Sequence, residues 1–194
     1  SVRGLLGRMQ RLAAILRKRR LTRGALELNM PEVKIDLDQS GRVTGAHVVE
    51  QTESHQIIEE FMLAANEAVA EKIAAAKGKF LRRIHPSPDL RKLRLLTEFV
   101  SELGFEVESL ESRFELQRLL TMSANEPEKH AVHYAVLRSL SRAVYAPQEQ
   151  GHYALASDCY CHFTSPIRRY PDLMIHRALD FLETGKKPPE DHLE

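Results

Sequence analysis

One stretch constrains this chain more than any other: Tyr160 to Arg177, which reads YCHFTSPIRRYPDLMIHR. Ser165 followed by Pro166 is a helix-start signal, a hydroxyl able to cap and then a proline at the first helical position. Ile167, Tyr170, Met174, Ala178, Phe181 and Leu182 then recur as one helical stripe, which predicts a helix to about Glu183 closed by Thr184 and Gly185. Pro171 falls inside that pattern and is expected to kink the first turn. Arg168 and Arg169 would then sit in the first turn, where the positive end of the helix dipole disfavours them. A bound anion reverses that sign, because free N–H groups, the dipole and a forked guanidinium would all favour it. The plainer reading is a solvated pair between Arg168 and Asp172, four residues on.

The 194 residues are enough to bury a real core in one domain or a large part of one. No apolar run approaches the length of a membrane span, so no membrane partner is expected. Net charge is +1 and points to no partner, but its distribution does. Residues 1–23 carry Arg3, Arg8, Arg11, Arg17, Lys18, Arg19, Arg20 and Arg23 and no acid, whereas the remaining 171 residues balance at −7. That asymmetry hints at a polyanion. Leu5, Met9, Leu12 and Leu16 place the basic segment on a helix; a transit peptide or a membrane-surface helix would share its composition. Cys159 and Cys161 suit neither a disulfide nor a structural zinc site, so they read as reduced thiols of a cytoplasmic protein.

Between these ends the pattern is mixed. Val33, Ile35 and Leu37 alternate with polar residues, 38–41 is a turn, and extended character resumes over 43–49, which predicts a β-hairpin. Asp36 and Asp38 could share a strand face as metal ligands, against the reading of a solvated face. A long helix runs from Thr52 to about Lys77 before Gly78, with Phe61 near its middle, and is expected to be the most buried. A short extended run over Phe80–His85 follows. Helices are expected over 89–103, 112–122 and 127–144, with a second strand pair formed by 143–145 and 152–156 around the Pro147–Gly151 turn. Tyr153 and Tyr160 could be core or base-stacking groups. The fold class expected is therefore α/β, mixed and helix-rich, with short antiparallel strand pairs and several packed helices.

HFTSPIRRYPDL with His176 and Arg177, together with IIEEFMLAAN over Ile57–Asn66, the segment over Arg23–Glu27 and FLRRIH over Phe80–His85, resembles the ribonuclease II / ribonuclease R family of exoribonucleases. The resemblance covers the later part of the family's RNB catalytic domain, with residues 1–185 as that portion and 186–194 as a linker. It implies 3′-to-5′ hydrolysis of single-stranded RNA to nucleoside monophosphates. It also implies Mg²⁺ held by clustered carboxylates in an earlier Asp-rich segment, of which this sequence has no equivalent. The 194 residues alone are therefore expected to be inactive, a piece of a longer, monomeric protein. By resemblance Arg168 is the catalytic, phosphate-stabilising residue, with Arg169 and Tyr170 beside it. His162, Thr164 and Ser165 shape the same turn, and the resemblance counts His162 and Ser165 as RNA-binding. Glu59 and Asn66 become RNA contacts by resemblance, against the surface placement that periodicity alone suggests. Leu28 stands where relatives often place a base-clamping phenylalanine, and an aliphatic side chain offers no stacking face. Two other readings stay open: a non-catalytic RNA-binding relative, and a helical structural domain unrelated to RNA.

Overall fold

The computed structural model describes residues 1–28, 30, 32–49 and 51–185, so the expected linker at 186–194 lies outside the described residues. The order is α1 (Val2–Thr22), β1 (Val33–Leu37), β2 (Val43–Val48), α2 (Glu53–Ala75), β3 (Arg82–Ile84), α3 (Leu90–Glu102), α4 (Arg113–Met122), α5 (Lys129–Ser139), β4 (Val144–Ala146) and α6 (Tyr170–Thr184). This is the mixed, helix-rich architecture that the patterning predicts. Local chemistry sets most boundaries. Asp89 and Ser112 cap α3 and α4 by accepting from the N–H of Arg91 and Phe114. Gly104 and Gly185, at φ +89 and +68, take the left-handed conformation past the ends of α3 and α6.

Two apolar clusters hold the chain. The larger joins Leu93, Leu96 and Val100 of α3, Leu116, Leu119 and Leu120 of α4, and Val132 and Val136 of α5. Each such side chain contributes about 1.5–3 kcal/mol by leaving water. The smaller joins Ala70 and Ile73 of α2 to Phe80, Cys161, Ile175 and Ala178, and it carries the Tyr160–Arg177 stretch. The long helix α2 is thus not the most buried element. It contributes nothing to the larger cluster, and two of its four buried residues, Glu60 and Asn66, are polar.

The β1–β2 hairpin forms as expected, with Val33 opposite Val48 and Ile35 opposite Ala46. Its apolar face is uncovered, Ile35 being 63% exposed. Asp38 lies in the turn, where its carboxylate accepts from Ser40 and Arg42, while Asp36 pairs with His47, so the two do not share a site. The second strand pair differs from the expectation. β4 pairs antiparallel with β3, 60 residues earlier, and 153–155 is a 3₁₀ turn. Residue 152 is held instead by bridges to His85 and Ser157. Gly151 permits this, since a Cβ there would meet the Ser157 carbonyl at 2.5 Å. α5 also ends at Ser139, five residues short of the expected 144, because Leu140 is already extended.

Along α1 the stripe is shifted. Leu5 and Leu12 are exposed, and the buried positions are Ala13 and Arg20. α1 meets α2 through ion pairs as much as through apolar contact. Arg20 lies against Glu60, Arg17 grips Glu27 at 2.9 and 2.7 Å, and Arg23 reaches Glu67 at 3.0 Å. Three of the eight N-terminal cations are thereby neutralised internally.

Candidate nucleic-acid interface

The helix of the Tyr160–Arg177 stretch starts at Tyr170, four residues later than the Ser165–Pro166 signal suggests. Pro171, not Pro166, occupies its first turn and causes no kink. Residues 165–169 form a tight turn in which the N–H groups of Arg168 and Arg169 both donate to the Ser165 carbonyl, at 3.3 and 3.1 Å. Ile167 and Tyr170, the first members of the predicted stripe, therefore project outward. Arg168 and Arg169 precede the helix rather than sitting in its first turn.

Asp172 organises this turn. It is fully buried, and its Oδ2 accepts from the Ser165 N–H and from Nη2 of Arg169, both at 2.8 Å. A carboxylate in the first turn of α6 also suits the helix dipole. The arginine paired with Asp172 is therefore Arg169, three residues before it, and not Arg168. Arg168 is exposed, and its guanidinium has no hydrogen-bond or ion-pair partner among the described residues. Buried polar atoms of the same segment, Thr164 Oγ1, Arg169 Nε and Asp172 Oδ1, have no partner among the described residues.

Asn66 fixes the segment from below. Its Oδ1 accepts from the Phe163 N–H at 2.9 Å, its Nδ2 donates to the Tyr160 hydroxyl at 2.9 Å, and its carbonyl lies 3.5 Å from the Cys161 sulfur. Asn66 is 2% exposed and both ends of its amide are bonded within the chain, not at the surface position that periodicity suggests. Burial pushes the Tyr160 hydroxyl up to about 12 and settles Tyr160 as core, not a stacking platform. His176 completes the support, stacked on Phe163 with centroids 4.2 Å apart and bonded to the Phe163 carbonyl.

His162 lies half-buried beside the turn. Its Nδ1 is 2.7 Å from the Tyr145 hydroxyl, and the Arg83 guanidinium lies over the Tyr145 ring, 4.6 Å from its centroid. Burial first, then Arg169 and Arg83, push His162 down to about 4, so its imidazole is neutral at ordinary pH. Neither Tyr145 nor Arg83 is singled out by the sequence; the signal would have been the pairing of β3 with β4, which joins segments 60 residues apart.

Leu28 and Glu59 fall elsewhere. Both line a cleft of about 190 Å³ with Arg17, Arg20, Glu27, Glu60 and Leu155, apart from Arg168. Glu59 is exposed at its rim, and Leu28 packs partly against the larger apolar cluster. No three His, Cys, Asp or Glu side chains group as a metal-holding set among the described residues. The carboxylate of the turn, Asp172, is already engaged by Arg169, and Glu60 of the separate cleft by Arg20, so these residues do not fit a Mg²⁺ site. The two cysteines are free thiols.

A rigid turn presenting an unpaired guanidinium above a buried carboxylate strut fits an anion-binding module, and the family follows. The family model described as RNB domain matches residues 3–184, so the chain belongs to the RNB domain family. Its relatives carry a more particular name. Ribonuclease R of Aquifex aeolicus is 37% identical over 174 residues, 88% of this chain and 24% of that protein. RNase R of Mycoplasma genitalium, solved in complex with ribose methylated single-stranded RNA, superposes with a TM-score of 0.90 at 28% identity, over 96% of this chain and 30% of that one. A yeast pseudonuclease superposes less closely, with a TM-score of 0.61 at 25% identity over 74% of this chain and 18% of that one. The chain spans about a quarter of the length of the curated relatives it matches.

Proposed function

We propose that these residues are the later portion of the catalytic domain of a 3′-to-5′ exoribonuclease that hydrolyses single-stranded RNA to nucleoside monophosphates. The observation that carries this reading is the contrast between two adjacent arginines. Arg169 is tied down by Asp172, while Arg168 is exposed and unpaired on the turn that Asp172 fixes. A guanidinium held without an internal partner is prepared for a phosphate, which it can grip through two parallel N–H groups. Arg168 would compensate the charge that develops on a non-bridging oxygen as the phosphodiester is cleaved. Preorganisation is the benefit: the turn is already bonded, so little reorganisation is needed at the barrier.

Support also comes from the relatives, one of which is named ribonuclease R and another solved with single-stranded RNA. Mg²⁺ is implied by the family, and the carboxylates of the family's earlier Asp-rich segment, which these 194 residues do not contain, would hold it. The 194 residues alone should therefore release no nucleotides from single-stranded RNA with magnesium. Release that survives chromatography and is abolished by EDTA would overturn that expectation.

A second reading, an RNA-binding relative without activity, is favoured by the likeness to a pseudonuclease. The two separate in one assay on the intact protein that contains this chain, given 5′-labelled single-stranded RNA and magnesium. The enzyme reading expects stepwise shortening from the 3′ end with nucleoside monophosphates as product. Retention of full-length RNA by a protein that binds it would leave the second reading.

A further inference from the structure

Tyr145, His162 and Arg83 form a built arrangement that the catalytic reading does not use. It draws its members from β4, the residues ahead of the 165–169 turn, and β3. The Tyr145 oxygen and His162 Nδ1 are 2.7 Å apart, and the two rings meet edge to face with centroids 5.5 Å apart. In a neutral imidazole one nitrogen donates and the other accepts, so the Tyr145 contact decides which. A phenol O–H is a stronger acid than a neutral imidazole N–H, so in this pair the Tyr145 hydroxyl is the donor. That leaves Nδ1 as acceptor and puts the ring proton on Nε2. No described residue bonds Nε2, and it is not among the buried polar atoms lacking a partner.

The surroundings keep the ring uncharged. The charges acting on His162 are Arg83 from β3, Arg168 and Arg169 from the turn, and Asp172 from α6, with Asp172 alone favouring protonation. The neutral rings facing it are Tyr145 and Tyr160, and His152 interacts with it from the 152–157 loop. Three cations beside one carboxylate make a locus that attracts phosphate rather than a neutral hydroxyl.

We propose that the Tyr145 hydroxyl holds His162 as the neutral tautomer protonated on Nε2, and that this N–H donates to a phosphate oxygen of a bound strand beside Arg168. This rests on the RNA-processing reading, and it makes Tyr145 a positioning residue acting through His162. The donor is uncharged, so its contact adds direction without adding to the salt dependence that the arginines bring.

Two measurements test it. In the ¹⁵N-labelled 194-residue chain, correlation of ring nitrogens with carbon-bound protons should show His162 Nδ1 as the bare nitrogen and Nε2 as the protonated one. Tyr145→Phe should mix the tautomers and raise the titration midpoint of His162. A proton found on Nδ1 in the unsubstituted chain overturns the proposal. Equilibrium binding of a single-stranded oligonucleotide to the intact protein is the second measurement. At neutral pH His162→Ala should weaken binding on the order of fivefold, the equivalent of one neutral hydrogen bond, and Tyr145→Phe by about twofold, since mixed tautomers leave part of the population competent. As pH falls, Tyr145→Phe should recover, because imidazolium donates from both nitrogens, and His162→Ala should not. The same losses should appear with DNA of matched sequence, since phosphate is the acceptor. Loss confined to RNA, or binding indifferent to His162→Ala, overturns the phosphate donor alone. Absence of any strand binding by the unsubstituted protein removes the proposed function together with it.

Discussion

The chain has two arginine-rich regions, and they end in opposite states. At the C-terminal end of α1, Arg17, Arg20 and the cap residue Arg23 turn toward Glu27, Glu60 and Glu67, tying α1 to its own following segment and to α2. On the 165–169 turn, one arginine is locked in the same way and its neighbour is left open. Counting cations favours the N-terminal segment 1–23, with eight against two. What sets Arg168 apart from the five N-terminal cations that are also unpaired among the described residues is its place on a turn tied to the buried Asp172. A guanidinium with a buried partner is part of the frame, whereas one held on a rigid turn with no partner is available to a ligand. The lesson is that net positive charge along a segment says less about anion binding than how its acids are placed in three dimensions.

The comparison can be broken first on the α1 side. Arg20→Ala strips the guanidinium from Glu60, which is 4% exposed, and leaves a buried carboxylate uncompensated. It is expected to cost about 3–5 kcal/mol of unfolding free energy, read by denaturant titration. A loss under 1 kcal/mol would mean that water already reaches this pair. On the turn, Asp172→Ala removes the acceptor shared by Ser165 and Arg169. We expect about 2–3 kcal/mol of lost stability, since both bonds involve a charged group. Arg169 would be released as well, so cleavage by the intact protein should fall although Asp172 touches no substrate. Unchanged cleavage would detach the turn's shape from its function. The smallest effect belongs to Arg23→Ala, whose side chain is 49% exposed in its pair with Glu67. Stability should change by no more than about 1 kcal/mol, and raising the salt should erase the difference.

How much of this was legible in the sequence depended on how local each cause is. Helices α2, α3 and α4 follow from Thr52, Asp89, Ser112 and Gly104, residues that act within one turn of the boundary they set. The β1–β2 hairpin follows from alternation about a short turn. The start of α6 was ambiguous because two prolines, Pro166 and Pro171, each suit a first helical turn, and the earlier one closes a tight turn instead. The wrong arginine was paired with Asp172 for the same reason, since spacing of three or four residues is meaningful only once the helix start is fixed. The pairing of β3 with β4, the burial of Asn66 and the meeting of Tyr145 with His162 link residues 17 to 97 positions apart. No periodicity in one segment reports on such partners. Leu28 and Glu59, joined to the site only through family resemblance, line a separate cleft with the α1 ion pairs.

The claim at the centre is that Arg168 acts at the barrier while Arg169 serves as frame. It is tested most directly by single-turnover cleavage beside equilibrium RNA binding, at fixed salt, in the intact protein bearing Arg168→Ala. Ground-state affinity is spread over many phosphate contacts, so losing one should weaken binding only modestly. The cleavage rate should fall by the equivalent of about 2–4 kcal/mol, and Arg168→Lys should restore it only in part, because an ammonium lacks the planar fork. Equal losses in rate and affinity would make Arg168 a uniform binding residue, and no loss in either would contradict the account.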